Sequence, residues 1–237
     1  MKIKNIIAII VIAVVVIAGG ILAFDYFTED LGIVNPKPTT DFDNNFMSGK
    51  IVGNAKRVEM NESEDSINKW LDSYKDSENN IEYNMSTCKN ATFLIDYLSL
   101  QGMGKAEVRE YGGNEWNIYF SQGVPNQGEG SNNTTNVTFD IYICESNINN
   151  QSYLVYIIET KTDGIAPKVE SDGSLYCELF TDYAQPLLEN AEFKHNDDAP
   201  EVYELLGISE SDYTQLAEYI RQYKAGEIDA NGNAISQ

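Results

Sequence analysis

Thiols and an imidazole are the side chains best suited to covalent or metal chemistry, and this chain has few of them. Its cysteines are Cys88, Cys144 and Cys177, and its single histidine is His195. One histidine cannot build a multi-histidine metal site or an HExxH helix. No CxxC occurs, so neither a structural zinc site nor a thioredoxin-type motif is expected. No metal and no cofactor is expected. His195 lies in the polar stretch Phe193-Lys194-His195-Asn196-Asp197-Asp198 and reads as a solvated loop residue. In an oxidising compartment one pair of the three cysteines can be bridged, and sequence leaves all three pairings open. Cys144 and Cys177 read as small apolar groups packed in a strand and a helix. Cys88 follows Ser86-Thr87, which reads as the start of a helix, where the dipole and free N–H groups favour a thiolate.

The segment beyond Cys88 adds a second pointer. Cys88-Lys89-Asn90-Ala91 is followed by Leu94, Leu98 and Gly102, then by Ala106, Val108, Tyr111 and Trp116. A cysteine opening a helix, a glycine ending it, and two strands with an aromatic residue partly resemble the core of transglutaminase-like cysteine enzymes. The resemblance covers residues 88–120. It implies a thiol enzyme, active or degenerate, with Cys88 as nucleophile. In that family a histidine stands two positions before a tryptophan like Trp116; here that position is Asn114, so the activating base is missing. Asp140 is the nearest strand candidate for the family's aspartate, and His195 is the one available substitute base.

Other residues suggest binding rather than turnover. Fifteen tyrosines and two tryptophans could supply a face for glycans, with Tyr119, Tyr142 and Tyr156 on expected strands. Asp229-Ala230-Asn231-Gly232-Asn233 begins like a calcium loop but lacks the bidentate glutamate, because the sequence stops at Gln237; it reads as a turn. Asn-x-Ser/Thr acceptors occur at Asn61, Asn84, Asn90, Asn132, Asn133, Asn136 and Asn150, all beyond the N-terminal apolar run.

The elements that would position these groups follow from periodicity. Residues 28–49, broken by Gly32, Pro36, Pro38 and Gly49, read as a spacer, and Lys50–Met60 as a first strand. Ile67, Trp70, Leu71 and Tyr74 fall at helical spacing, as do Ala91, Leu94, Ile95 and Leu98 in a second helix. Strands are expected over Ala106–Tyr111, Glu115–Phe120, residues 137–143 and Tyr153–Glu159. Leu175, Leu179, Tyr183 and Leu187 suggest a helix that Pro186 kinks. A short helix is expected between Pro200 and Gly207, and another from a Ser209 cap to Gly226. The fold class expected is α+β, an antiparallel sheet of about four to five strands with helices packed on it. The domain spans 50–226, with 227–237 as a loose tail.

The N-terminus indicates the compartment. Lys2 and Lys4 precede a 19-residue uncharged run, Ile6–Phe24, and Asp25, Glu29 and Asp30 follow it. As a helix the run is about 28 Å long, close to the thickness of a bilayer's hydrocarbon core. The charge asymmetry puts the N-terminus in the cytoplasm and the rest outside. Residues 1–27 therefore read as an anchor, or as a signal peptide cleaved near Val16-Ile17-Ala18 to release a secreted domain. Of the 16 basic residues Lys2 and Lys4 precede the run, so the remainder carries 14 against 37 acidic ones, a net −23. Such a surface repels nucleic acid. The reading is a single-pass, acidic, extracytoplasmic domain, non-enzymatic, with a cell-surface protein or glycan as partner.

Overall fold

The computed structural model describes residues 37–58, 67–89, 107–125, 137–170, 172–229 and 232–235. The apolar run 6–24 lies outside them, as do the acceptors Asn61, Asn90, Asn132, Asn133 and Asn136 and the helix expected at 91–98. Among the described residues no helix is long and apolar enough to cross a membrane.

The chain is mostly β, which corrects the α+β expectation. Strands are β1 (Thr39–Asp43), β2 (Met47–Val52), β3 (Lys56–Arg57), β4 (Leu71–Asp76), β5 (Ile81–Lys89), β6 (Glu107–Tyr111), β7 (Asn114–Pro125), β8 (Val137–Ile148), β9 (Gln151–Thr162) and β10 (Glu192–Phe193). Helices are α1 (Gln185–Asn190), α2 (Val202–Leu205) and α3 (Glu210–Lys224). A seven-stranded antiparallel sheet runs β3-β4-β5-β9-β8-β7-β6, and a three-stranded sheet runs β1-β2-β10. The expected four to five strands undercount for two reasons. Residues of β4 and the end of β5 carry helical signals, and β1 with the start of β2 falls inside the expected spacer 28–49.

The period of two along each strand divides the large sheet into two buried faces. On the first face Tyr83, Met85, Trp116, Ile118, Tyr142, Val155 and Ile157 pack against Phe42, Phe46, Met47 and Ile51 of the small sheet and Leu187 and Leu188 of α1. Tyr83 Oη donates to Val52 O at 2.8 Å and ties the two sheets together. On the second face Tyr119, Ile141, Ile143, Leu154, Tyr156 and Ile158 meet Val202 and Leu205 of α2 and Leu216 and Ile220 of α3. Because both faces are covered, β9 is buried over nearly its whole length, as its unbroken apolar run implies.

Local chemistry fixes the joints. Gly53 has φ +107, and a Cβ there would meet Asp76 Oδ2 at 2.0 Å, so only glycine lets the chain pass β4. Pro186 cannot donate a helical hydrogen bond. The helix takes a π turn, Phe180–Ala184, immediately before it. Ser209 caps α3 by accepting from Asp212 N at 3.1 Å, as expected. The tail is not wholly loose: Ile228 and Ala234 form an antiparallel bridge, and both carboxylate oxygens of Asp229 accept from Asn233.

Candidate functional site

Cys88 is not at a helix start. It lies in β5 on the second face, opposite Ser152, and is fully buried. Burial pushes the thiol pKa far up, and Glu145 and Glu201 raise it further. Cys88 sits inside a strand and opens no helix, which corrects the expectation, and the carboxylate of Glu201, the N-cap of α2, faces it with the charge that disfavours a thiolate. Around the thiol Ser152 Oγ donates to Glu145 Oε1 at 2.8 Å and accepts from Asn147 Nδ2 at 2.8 Å. Those groups hydrogen-bond one another, and the nearby carboxylates of Glu145 and Glu201 disfavour a sulfur anion.

His195 is on an exposed loop, 3.1 Å from Asp197 Oδ1. That loop is anchored by Asn196 N donating to Gln151 Oε1 at 3.0 Å, and by Gln151 Nε2 donating to Thr87 Oγ1 at 2.8 Å. Thr87 and Gln151 alternate with Cys88 and Ser152, so this relay uses the opposite face of the sheet from the thiol. Asp140 is further away still. It pairs with Glu159, which pairs with Ile81. Ile81 is seven residues before Cys88, about 23 Å along β5 at ~3.3 Å per residue. The structure thus does not bring together Cys88, His195 and Asp140. Trp116 is fully buried with its ring 5.4 Å from Phe193, and is a core residue. Cys144 and Cys177 are also buried and free, and Cys177 Sγ lies 3.3 Å from Tyr142 Oη.

These surroundings predict slow thiol chemistry. In the native protein at pH 8 a charged alkylating reagent should leave Cys88 and Cys144 unmodified over hours, and label both completely in urea. Fast labelling of Cys88 in the native state, read by mass spectrometry, would contradict its burial.

The tyrosines do not form an exposed platform. Tyr119 and Tyr156 are buried on the second face, and Tyr142 is buried on the first. Of the two described glycosylation acceptors, Asn150 is exposed in the β8–β9 turn with φ +65. Asn84 is buried in β5, accepting from Ser73 Oγ and donating to Glu82 Oε1 at 3.0 Å. Its side-chain nitrogen, the atom a glycan would occupy, is turned into the sheet.

Sequence reasoning missed the polar groups that the sheet buries. Asp140 and Glu159 face each other on β8 and β9, and Lys161 lies against both, 2.6 Å from Asp140 Oδ2 and 3.4 Å from Glu159 Oε2. Asp140 Oδ1 accepts from Gly123 N at 2.8 Å, inside the irregular stretch of β7 between Ser121 and Val124. Glu159 Oε1 accepts from Val169 N at 3.3 Å. Burial raises the Glu159 pKa, and Lys161 opposes that shift. For Lys161 burial acts downward, but hydrogen bonding and attraction to the two carboxylates outweigh it and raise the pKa. The cluster sets one ammonium between two buried carboxylates. Its hydrogen bonds also staple a β-bulge and the 163–170 segment to the sheet. Alternation in the sequence puts Asp140 on the polar side of its strand, and only the second covered face of the sheet turns that side inward, where charges are rare unless paired.

Glu82 is different. It is buried on β5, and Oε2 has no hydrogen-bond partner among the described residues. Burial raises its pKa, against the Asn84 hydrogen bond and the Lys75 charge. A raised carboxyl pKa means stability present in acid and lost as pH rises through the folded pKa. Glu82→Gln should accordingly stabilise the protein by about 1–3 kcal/mol at pH 8. The gain should shrink toward acid pH in paired urea titrations.

No family model matches the chain, and no curated protein matches it. A crystal structure at 1.50 Å of a protein from Bacteroides thetaiotaomicron VPI-5482 superposes with a TM-score of 0.40 at 10% sequence identity. The match covers 81% of this chain and 62% of that one, so this chain spans less than two thirds of its neighbour's length. A likeness at that level says nothing about function.

Proposed function

We propose that this protein is a membrane-tethered extracytoplasmic β domain that acts by binding, not by turnover. The observation that carries the reading is the order along the chain: two lysines, 19 uncharged residues, then a strongly acidic remainder. Among the described residues the first strand, β1, begins at Thr39, so 14 residues, 25–38, lie between it and Phe24. Fully extended, that tether reaches at most about 50 Å at ~3.3–3.6 Å per residue, which keeps the domain near the bilayer surface. The acidic surface would be held off anionic lipid and would favour cationic partners, with a preference that salt weakens.

Alkaline carbonate extraction of cell membranes tests the tether. The full chain should stay in the pellet, and a chain lacking residues 1–27 should not. Release of the full chain into the supernatant would contradict a retained anchor.

A further inference from the structure

We propose that two copies of this chain join edge to edge through β6, pairing antiparallel about Val108 to continue the seven-stranded sheet across the dimer.

The two edges of the large sheet are built differently. Strand β3 is two residues long and carries Lys56 and Arg57, the usual protection against edge pairing. Strand β6 has five residues, and among the described residues it pairs with β7 alone. Its central Val108 is 47% exposed and is flanked by Glu107 and Arg109, two charges of opposite sign, unlike the two like charges of β3. Tyr176, 41% exposed, lies under the Arg109 guanidinium and extends the apolar patch on the other face.

Hairpin geometry shows which backbone groups are free. Tyr111 and Asn114 flank a two-residue turn at Gly112-Gly113, with φ +60 and +76, the primed turn that matches strand twist. The residues flanking such a turn exchange both hydrogen bonds, and the pattern alternates from there. Residues 111, 109 and 107 therefore point their N–H and C=O groups at β7, and Val108 and Glu110 point theirs outward. In agreement, Val108 O accepts from its own neighbour, Arg109 Nη1, at 3.2 Å.

Charge then selects the register. A two-fold axis perpendicular to the sheet pairs only residues of the same face. Centred on Arg109, it would oppose two guanidinium groups. Centred on Val108, it makes Val108 a hydrogen-bonded pair with its counterpart and sets Glu107 of each copy opposite Arg109 of the other. Those flanking positions are non-hydrogen-bonded pairs, where side chains come closest, about 4.5 Å between Cα atoms. Glu107 and Arg109 already form an ion pair within one chain, so the dimer converts two such pairs into one four-charge ring. The guanidinium that covers Val108 O in the single chain moves to the partner's carboxylate and is replaced by the partner's N–H. This surface is independent of the tether.

The test uses the full chain in detergent, with mass measured by sedimentation equilibrium over a wide concentration range. The wild type should sediment as a dimer. Arg109→Glu places like charges at both flanking pairs and should shift the chain to monomer, and adding Glu107→Arg should restore the dimer. Val108→Pro removes only an outward N–H and should give a monomer with an unchanged circular dichroism spectrum. The Val108→Cys variant should be cross-linked between copies by a short bis-maleimide. A monomeric wild type, a dimer indifferent to Arg109→Glu, or a dimer in which the Val108→Cys variant gives no cross-link would overturn the proposal.

Discussion

Lys161→Met should destabilise the protein by about 3 kcal/mol at pH 8, with much of the loss recovered at pH 5. Removing one partner from a buried ionic cluster leaves charge uncompensated, which typically costs about 3–5 kcal/mol. The lysine side chain keeps 22% of its exposure, so water already screens part of the interaction and the lower end applies. The pH dependence follows from Glu159. Its pKa is already raised in the folded state by burial, and Lys161, together with the Val169 N–H, opposes that rise. Without the ammonium it rises further. A carboxyl group with a raised folded pKa contributes stability in acid that is lost as pH rises through that value. The variant's deficit should therefore be largest in alkali and smallest below the usual glutamate range. Urea titrations of both proteins at pH 5 and pH 8 would show it. A deficit that grows toward acid would mean that the cluster is held together in some other way.

Trp116→Ala should cost about 3–5 kcal/mol, the range for emptying a large aromatic site in a packed core. Trp116 is fully buried, and Phe193 of the small sheet packs against both it and Tyr153, with ring centroids 5.4 and 4.2 Å away. This is the seam at which β10 closes the small sheet over the large one. Trp116→Ala and Phe193→Ala should therefore be non-additive, coupled by about 0.5–1.5 kcal/mol in a double-mutant cycle. Additive losses would mean that the seam does not pack as described. Trp116→Phe should cost far less, because the indole N–H has no acceptor among the described residues.

The sequence was most legible where hydrophobic period and termination signals agreed. Alternation of Trp116, Ile118 and Phe120 marks β7, and that of Val137, Phe139, Ile141 and Ile143 marks β8. The Ser209 cap and Gly226 bracket α3, with Gly226 at φ +70 just beyond it. Strands β4 and β5 are hidden by their own polar residues. Ile67, Trp70, Leu71 and Tyr74 match a helix, but the chain makes one 3₁₀ turn at Asn68–Trp70 and then extends. Ile81, Tyr83 and Met85 alternate strictly with Glu82, Asn84 and Ser86, which is a strand signal. Those polar residues mimic a solvated face, whereas the sheet is covered on both sides and buries them too. The same double coverage explains the site. Placing Cys88 on a helix required β5 to end before it; once β5 runs through Lys89, the thiol becomes a core group and the thiol-enzyme geometry is lost. The Asp140–Glu159–Lys161 cluster could not be read from spacing, because its parts meet only through the β8–β9 register.

The proposed function puts the acidic β domain outside the cell on its N-terminal tether. The measurement that tests this most directly is labelling of intact cells with a membrane-impermeant amine reagent. Lys50, with 59% of its side chain exposed, and the exposed Lys56 supply reactive groups on the domain. These lysines should be modified in intact cells as fully as after lysis, and the modified protein should sediment with the membrane. Modification only after lysis would place the domain in the cytoplasm and contradict the proposed function.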